Sequence, residues 1–152
     1  MSIELAQKSD FAIVKEIVCT TINEIYPRYY PAGAVSFFLY YHNDENIEND
    51  ISNECVYLCY DTEHNAVGTV TIVKNEIFRL FVLSPYQGNG YGTELLEFAE
   101  SEIAMHYNEI ILAASLSAKS IYLKRGYKEM EYHTMMTEHN DYLCYDMMKK
   151  LL

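Results

Sequence analysis

One stretch limits what this chain can fold into more than any other: Gln87-Gly88-Asn89-Gly90-Tyr91-Gly92-Thr93. It lies between an apolar run, Ile77–Leu83, and an amphipathic run, Glu94–Ile103. Alternating glycines at a strand-to-helix junction leave backbone N–H groups bare beside a helix N-terminus. Such N–H groups, together with the positive end of a helix dipole, hold phosphate. The loop therefore predicts mixed α/β structure and a phosphorylated small molecule as ligand.

Periodicity along the rest of the chain supplies the elements around that loop. Ser2–Ala6 reads as a first strand. Phe11–Ile25 carries Phe11, Val14, Val18, Ile22 and Ile25 at helical spacing, and Pro27 ends it, with Pro31 and Gly33 continuing the break. Ala34–His42 predicts a second helix and Glu45–Ile51 a short third turn. Cys55–Tyr60 and Val67–Val73 are β-rich and flank the polar stretch Asp61–Asn65, which predicts a hairpin. Lys74-Asn75 turns the chain into a third strand, Glu76–Leu83. After the glycine loop, Gly92, Leu95, Leu96, Ala99 and Ile103 make one apolar helix face. Glu109–Ala113 reads as a buried strand. Ser117 is placed to cap a short helix, Ala118–Arg125, which Gly126 closes. Lys128–Met135 and Tyr142–Lys149 close the chain as two strands around Thr137–Asp141. The expectation is one α/β (α+β) domain over residues 1–152, a mixed central sheet of about seven strands flanked by about four helices.

Three kinds of glycine loop compete for Gln87–Thr93. A P-loop places a lysine before its Ser/Thr to reach the β- and γ-phosphates; here Gly92-Thr93 ends the turn without one, which argues against nucleotide hydrolysis. A dinucleotide fold wants GxGxxG at the start of a βαβ unit. Gly88 and Gly90 fit that pattern, but Thr93 stands at its third position and three hairpin-type strands come first.

The third kind fits. Val82-Leu83-Ser84-Pro85-Tyr86-Gln87-Gly88-Asn89-Gly90-Tyr91-Gly92 resembles the cofactor signature of the GCN5-related N-acetyltransferase family. Downstream, Ser115-Leu116-Ser117-Ala118-Lys119-Ser120-Ile121-Tyr122-Leu123-Lys124-Arg125-Gly126-Tyr127 resembles a second segment of the same family. The two blocks occur in the family's order, and the resemblance spans nearly the whole chain. It implies acetyl-CoA as co-substrate. Gln87, Gly88, Asn89, Gly90, Tyr91, Gly92 and Thr93 would cradle the pyrophosphate, with backbone rather than side chain binding at Asn89 and Tyr91. Leu80, Phe81 and Val82 would pair backbone groups with the pantetheine arm, and the Val82 N–H would face the thioester oxygen. Ser115 stands where the family commonly has an asparagine that holds the same arm; a serine reaches less far.

Acyl transfer to an amine needs a proton removed from an ammonium that titrates near ~10.4, and a proton delivered to a departing thiolate. The resemblance assigns the second task to Tyr122. Glu76 is the candidate base, acting through a water. It lies six residues before Val82, an even spacing that predicts both side chains on one face of the strand. The acceptor pocket is expected between the early helices and the last two strands. There Tyr26, Tyr29 and Tyr30, beside Arg28, form an aromatic cluster, and His133 and His139 lie near the closing hairpin.

Charge and cysteine bound the remaining classes. A net charge of −11 argues against a nucleic-acid surface and permits a cationic substrate. No run is long and apolar enough for a membrane helix, and the N-terminus has no export signal, so a cytoplasmic protein without membrane contact is expected. Cys19, Cys55, Cys59 and Cys144 lack paired spacing and read as buried free thiols, and no metal-ligand pattern appears. These readings predict an acetyl-CoA-dependent N-acetyltransferase acting on a small-molecule primary amine. A protein N-terminal or lysine acetyltransferase and a non-catalytic acyl-CoA-binding module stay open as alternatives, as does a homodimer.

Overall fold

Short β-rich runs alternate along the chain with segments whose apolar residues recur at helical spacing. The chain answers with one sheet covered by helices on both faces. The computed structural model describes residues 1–152. Its elements in order are strand β1 (Ser2–Leu5), helices α1 (Phe11–Ile25), α2 (Ala32–Tyr41) and α3 (Asp44–Ser52), strands β2 (Val56–Tyr60), β3 (Ala66–Val73) and β4 (Glu76–Val82), helix α4 (Tyr91–Ala104), strand β5 (Glu109–Ala114), helix α5 (Lys119–Lys124), and strands β6 (Lys128–Met136) and β7 (Tyr142–Leu151). The sheet order is β1-β2-β3-β4-β5-β7-β6, antiparallel everywhere except between β4 and β5. The expected single-domain α/β architecture and the seven strands hold. No helix is long and apolar enough to cross a membrane.

Two cores lie on opposite faces of the sheet. On one, α1 buries Val14, Ile17, Val18, Thr21 and Ile22 against β2 and β4. The buried stripe runs i, i+3, i+4, i+7, i+8, as a helix lying flat on a sheet requires. Phe11 and Ile25, expected in that stripe, only half-bury at its ends. On the other face α4 buries Leu95, Leu96, Ala99 and Ile103 against Val70, Ile77, Ile110 and Leu112. Each fully buried leucine, isoleucine or valine among these contributes about 1.5–3 kcal/mol by leaving water. All four cysteines are free thiols, but only Cys59 is fully buried; burial pushes its thiol up to about 11.

The start of α2 differs from the expectation. Gly33 does not break the chain; it lies in the first turn of a helix that begins at Ala32. The reason is a contact no local pattern encodes. Asp141, from the turn between β6 and β7, accepts a hydrogen bond from the Gly33 N–H at 2.8 Å and caps the helix across 108 residues of sequence. Thr137 donates its hydroxyl to the same carboxylate. A Cβ on Gly33 would overlap the side-chain oxygens of both Asp141 and Thr137. Helix α2 is thereby fastened to the β6–β7 hairpin.

At the other end of the chain, Ser117 does not cap α5 as expected. Its hydroxyl shares a hydrogen bond with that of Ser115 at 2.9 Å, and the N-cap position falls on Ala118. Gly126 does close the helix. It adopts φ +88°, its N–H donates to Leu123, and the Tyr127 N–H donates back to Tyr122. This is the two-bond C-terminal motif that favours glycine.

Gly33→Ala is expected to destabilise the fold by about 1–3 kcal/mol through overpacking, read as a lower Tm. Asp141→Ala removes the cap. The Thr137 hydroxyl and the α2 N–H groups hold the Asp141 carboxyl below its ordinary value. Its contribution is therefore full at neutral pH and lost as pH falls through that lowered value. The Tm difference between wild type and Asp141→Ala should narrow from pH 7 towards pH 3.

Candidate active site

The site is made by a fault in strand β4. Against β3, Thr69 pairs with Phe81 and Thr71 with Phe78, so β4 carries one extra residue between those pairs. Arg79 takes up the bulge at φ +45°, a region bulky side chains avoid. Its side chain is what holds it there. The guanidinium donates to Asp50 at 2.6 Å, to Thr71 at 3.2 Å and, through Nε, to His42 Nδ1 at 3.1 Å. The Arg79–Asp50 pair is largely shielded, with only 7% of the Arg79 side chain exposed. Because Nδ1 of His42 accepts, its proton sits on Nε2. Burial, helped by the Arg79 charge, pushes the ring down to about 3, so it is neutral at physiological pH.

Two consequences follow. Pairing of β4 with β5 stops after Glu76–Ile111 and Ile77–Leu112. Beyond that point the strands part and leave the β4 edge open. The bulge also inverts the alternation. Ile77 and Val82 both belong to the core beneath α4, while Phe81 belongs to the core beneath α1. Glu76, next to Ile77, therefore faces the α1–α3 side, opposite Val82. The even spacing of Glu76 and Val82 predicted one shared face, and the extra residue at Arg79 overturns it.

Along the open edge, the antiparallel alternation turns the amides of Leu83 and Phe81 towards β3; the Leu83 N–H donates to Val67 at 2.9 Å. The amides of Leu80 and Val82 point the other way, into the gap. Phe81, expected to offer its backbone there, gives it to Thr69 instead, and its ring lies 6.3 Å from that of Tyr26. Gln87 donates its side-chain amide to the Val82 carbonyl at 2.8 Å and so pins the glycine loop to the strand. Ser84 donates to Glu24 of α1 at 2.6 Å, anchoring the same loop from the other side.

The loop then enters α4 through Gly88 (φ +79°) and Gly90 (φ +91°). Both glycines face open space, so backbone conformation rather than room demands them there. Helix α4 starts at Tyr91, three residues before the amphipathic run suggested. Its first internal bond runs from the Glu94 N–H to the Gly90 carbonyl, which leaves the N–H groups of Tyr91, Gly92 and Thr93 free at the helix start. Asn89 folds its side-chain amide back onto the Tyr86 carbonyl, and Tyr91 packs against Tyr86.

A cavity of about 1140 Å³ runs from this loop along the gap. Gly88, Gly90, Gly92 and Thr93 line one end; Ala118, Ile121 and Tyr122 line the flank; α2, β4 and β7 line the other end. Tyr122 is 8% exposed, its ring meets Tyr127 at 5.5 Å, and burial pushes its hydroxyl well above the ordinary tyrosine value. Glu76 also lines the cavity, and burial raises its carboxyl. Ser115 is on the wall, held by Ser117. Tyr26 and Tyr29 reach it as well, Tyr26 buried and Tyr29 half-exposed.

Two expected pocket residues are elsewhere. Tyr30 is a strut: its hydroxyl donates to the Cys144 carbonyl and accepts from the Leu116 N–H, both at 2.8 Å. Both bonds span more than eighty residues of sequence, and with them the hydroxyl joins the connection between α1 and α2 to β7 and to the approach to α5. His133 lies on the outer strand β6, stacked on Tyr145 at 5.0 Å and beside Glu131, outside the cavity. Sequence reasoning missed Arg79, His42, Phe37, Phe38 and Phe78, all on the cavity wall. An arginine inside an apolar strand run was the one available signal for the bulge.

The acetyltransferase (GNAT) domain profile matches residues 25–151. A GCN5-related N-acetyltransferase structure from Rhodopseudomonas palustris aligns with a TM-score of 0.88 at 19% identity, over 99% of this chain and 95% of that one. The PaiA N-acetyltransferase of Thermoplasma acidophilum, solved with coenzyme A, aligns over 100% of both chains with a TM-score of 0.74 at 22% identity. YncA of Salmonella typhimurium, solved with acetyl-CoA, aligns over 100% of this chain and 94% of that one, with a TM-score of 0.70 at 16% identity. At these identities the likeness is one of fold. No sequence among curated proteins matches this chain.

Arg79→Ala should remove the clamp on the bulge and strand Asp50. Breaking a shielded pair costs about 3–5 kcal/mol, and Asp50 keeps a quarter of its side-chain surface in water, which favours the lower end. Chemical denaturation is the measurement, and a change under 1 kcal/mol would show that the bulge holds without its arginine.

Proposed function

The chain belongs to the GNAT acetyltransferase family, and from that membership we propose that it moves the acetyl group of acetyl-CoA onto the primary amine of a small molecule by direct attack. The observation that carries this is the gap opened at Arg79. It sets an open strand edge, a free helix N-terminus, Glu76 and Tyr122 around one cavity.

The residues present fit the co-substrate. Gly88 and Gly90 hold the loop in a left-handed backbone that aims its N–H groups outwards, and Tyr91, Gly92 and Thr93 add N–H groups that no carbonyl of the helix claims. In this reading they take the pyrophosphate, favoured by the dipole of α4. Leu80 and Val82 take the pantetheine amides as a neighbouring strand would. Ser115, already bonded to Ser117, plays a lesser part in holding that arm.

Acetyl-CoA supplies the activated acyl group. The chain supplies the rest. The Val82 N–H donates to the carbonyl oxygen where negative charge develops. Glu76 draws the proton from the acceptor ammonium through a water. Its raised carboxyl makes it a stronger base than an exposed glutamate, and its place across the sheet from Val82 puts it on the acceptor side. Tyr122 donates its proton to the departing thiolate. Burial keeps that hydroxyl protonated at neutral pH, and the residue lines the cavity where the thiolate would leave.

General acids and bases each contribute typically 10²–10⁴-fold. Tyr122→Phe is therefore expected to lower kcat by about 10²-fold or more, with the Kd for CoA unchanged. Glu76→Gln should lower kcat/KM comparably and remove the acidic limb of its pH profile. In the wild type that limb lies above the ordinary glutamate value, because the raised carboxyl must be ionised to act. A profile identical in Glu76→Gln would take Glu76 out of the mechanism.

A further inference from the structure

The chain is acidic, yet its cavity is not. Glu76 is the one carboxylate side chain on the wall, against two arginines, Arg28 and Arg79. Asp50, which pairs with Arg79, lies behind it rather than on the lining. The net charge of −11 is carried elsewhere, so it says little about what enters.

On the face that Glu76 shares, the wall is aromatic and thioether. Helix α2 presents Phe37, Phe38 and Tyr41, β4 presents Phe78, and β7 presents Tyr145 and Met147. Several of these rings pack against one another: Phe37 lies 6.1 Å from Phe38 and stacks on Tyr41 at 6.2 Å. They form a prepared apolar surface beside a single negative charge. Resting on the acetyl-transfer reading above, we propose that the acceptor is a monoamine with an aromatic or bulky apolar body. Its ammonium is directed to Glu76, and its body lies against Phe37, Tyr41, Phe78 and Tyr145.

The physics favours that class over polycations. A single ammonium entering the cavity meets one carboxylate and the faces of aromatic rings, which attract a desolvated cation. A second ammonium of a polyamine or aminoglycoside would lose water with no further carboxylate on the wall to meet it. It would also share the cavity with Arg28 and Arg79. The apolar body gains by burial what a polar body would lose, and Met147, with Met135 nearby, adapts to its outline.

The test uses the full chain saturated with CoA, titrated calorimetrically with phenethylamine, ethylamine and spermidine, alongside thiol release from acetyl-CoA with the same amines. Single methylenes in apolar pockets are worth roughly 10–200-fold. Phenethylamine is therefore expected to bind and react at least about 100-fold better than ethylamine, and spermidine no better than ethylamine. Phe78→Ala and, on a half-exposed position that spares the core, Tyr41→Ala should each cut that preference by about tenfold with the Kd for CoA unchanged. Preferred binding or turnover of spermidine would overturn the proposal. So would tight binding of dodecanoyl-CoA that excludes phenethylamine, since the aromatic space would then hold an acyl chain. Thiol release with none of the amines, while phenethylamine still binds tightest, would retire the transfer reading and leave the aromatic cavity as a binding site for apolar monoamines.

Discussion

The ion pair between Arg79 and Asp50 is the contact on which the rest of the site depends. A bulky residue at φ +45° costs on the order of 1–3 kcal/mol. A strand closed on both sides would have no reason to keep it. Here the guanidinium reaches past the bulge to a carboxylate on α3, a threonine on β3 and a neutral histidine at the end of α2. Those bonds offset the strain and fix where β4 turns away from β5. Remove the extra residue and the two strands can pair along their length. The edge amides of Leu80 and Val82 would then be spent on the sheet, and Glu76 would change faces.

Other walls of the cavity are held by single polar contacts, most of them between residues far apart in sequence. Asp141 fastens α2 to the β6–β7 hairpin, Tyr30 bridges the α1–α2 connection to β7 and to the approach to α5, and Gln87 ties the glycine loop to β4. Each joins an element on one side of the gap to a fixed point of the sheet. The walls are therefore positioned by single polar contacts set among apolar layers. Such contacts contribute modestly to stability, typically about 0.5–1.5 kcal/mol each, but they are exacting about geometry.

This division explains what was legible in the sequence. The strands, the main helices, the glycine loop and the closing Gly126 follow from period, turn chemistry and backbone freedom, which are local. Val82 and Tyr122, which line the cavity, lie in the two sequence blocks that resemble the family's pattern; Leu80 and Glu76 reach the same cavity from β4, upstream of both blocks. The departures that shape the cavity are non-local. Glu76 was put on the wrong face because one extra residue in β4 leaves no trace in the alternation except an arginine among apolar neighbours. Gly33 reads as a breaker because its cap comes from the far end of the chain. Tyr30 and Tyr26 look alike in a tyrosine-rich segment. Only the partners of the Tyr30 hydroxyl show that it braces the fold while Tyr26 faces the cavity.

The same reasoning separates the charge of the molecule from the charge of its site. Acidic residues are spread over the exposed faces, where a high net charge favours solubility and repels like molecules. A substrate that has entered the gap no longer feels them at full strength, because fields from exposed charges are screened within about 10 Å at ordinary ionic strength. What it meets is the local balance of Glu76, Arg28 and Arg79 set in aromatic walls. Of these, Arg79 already has its partner, and His42 is held neutral beside it. Glu76 is left as the one unpaired anion on the wall. The arrangement that opens the gap thus also sets the polarity of what lies within it.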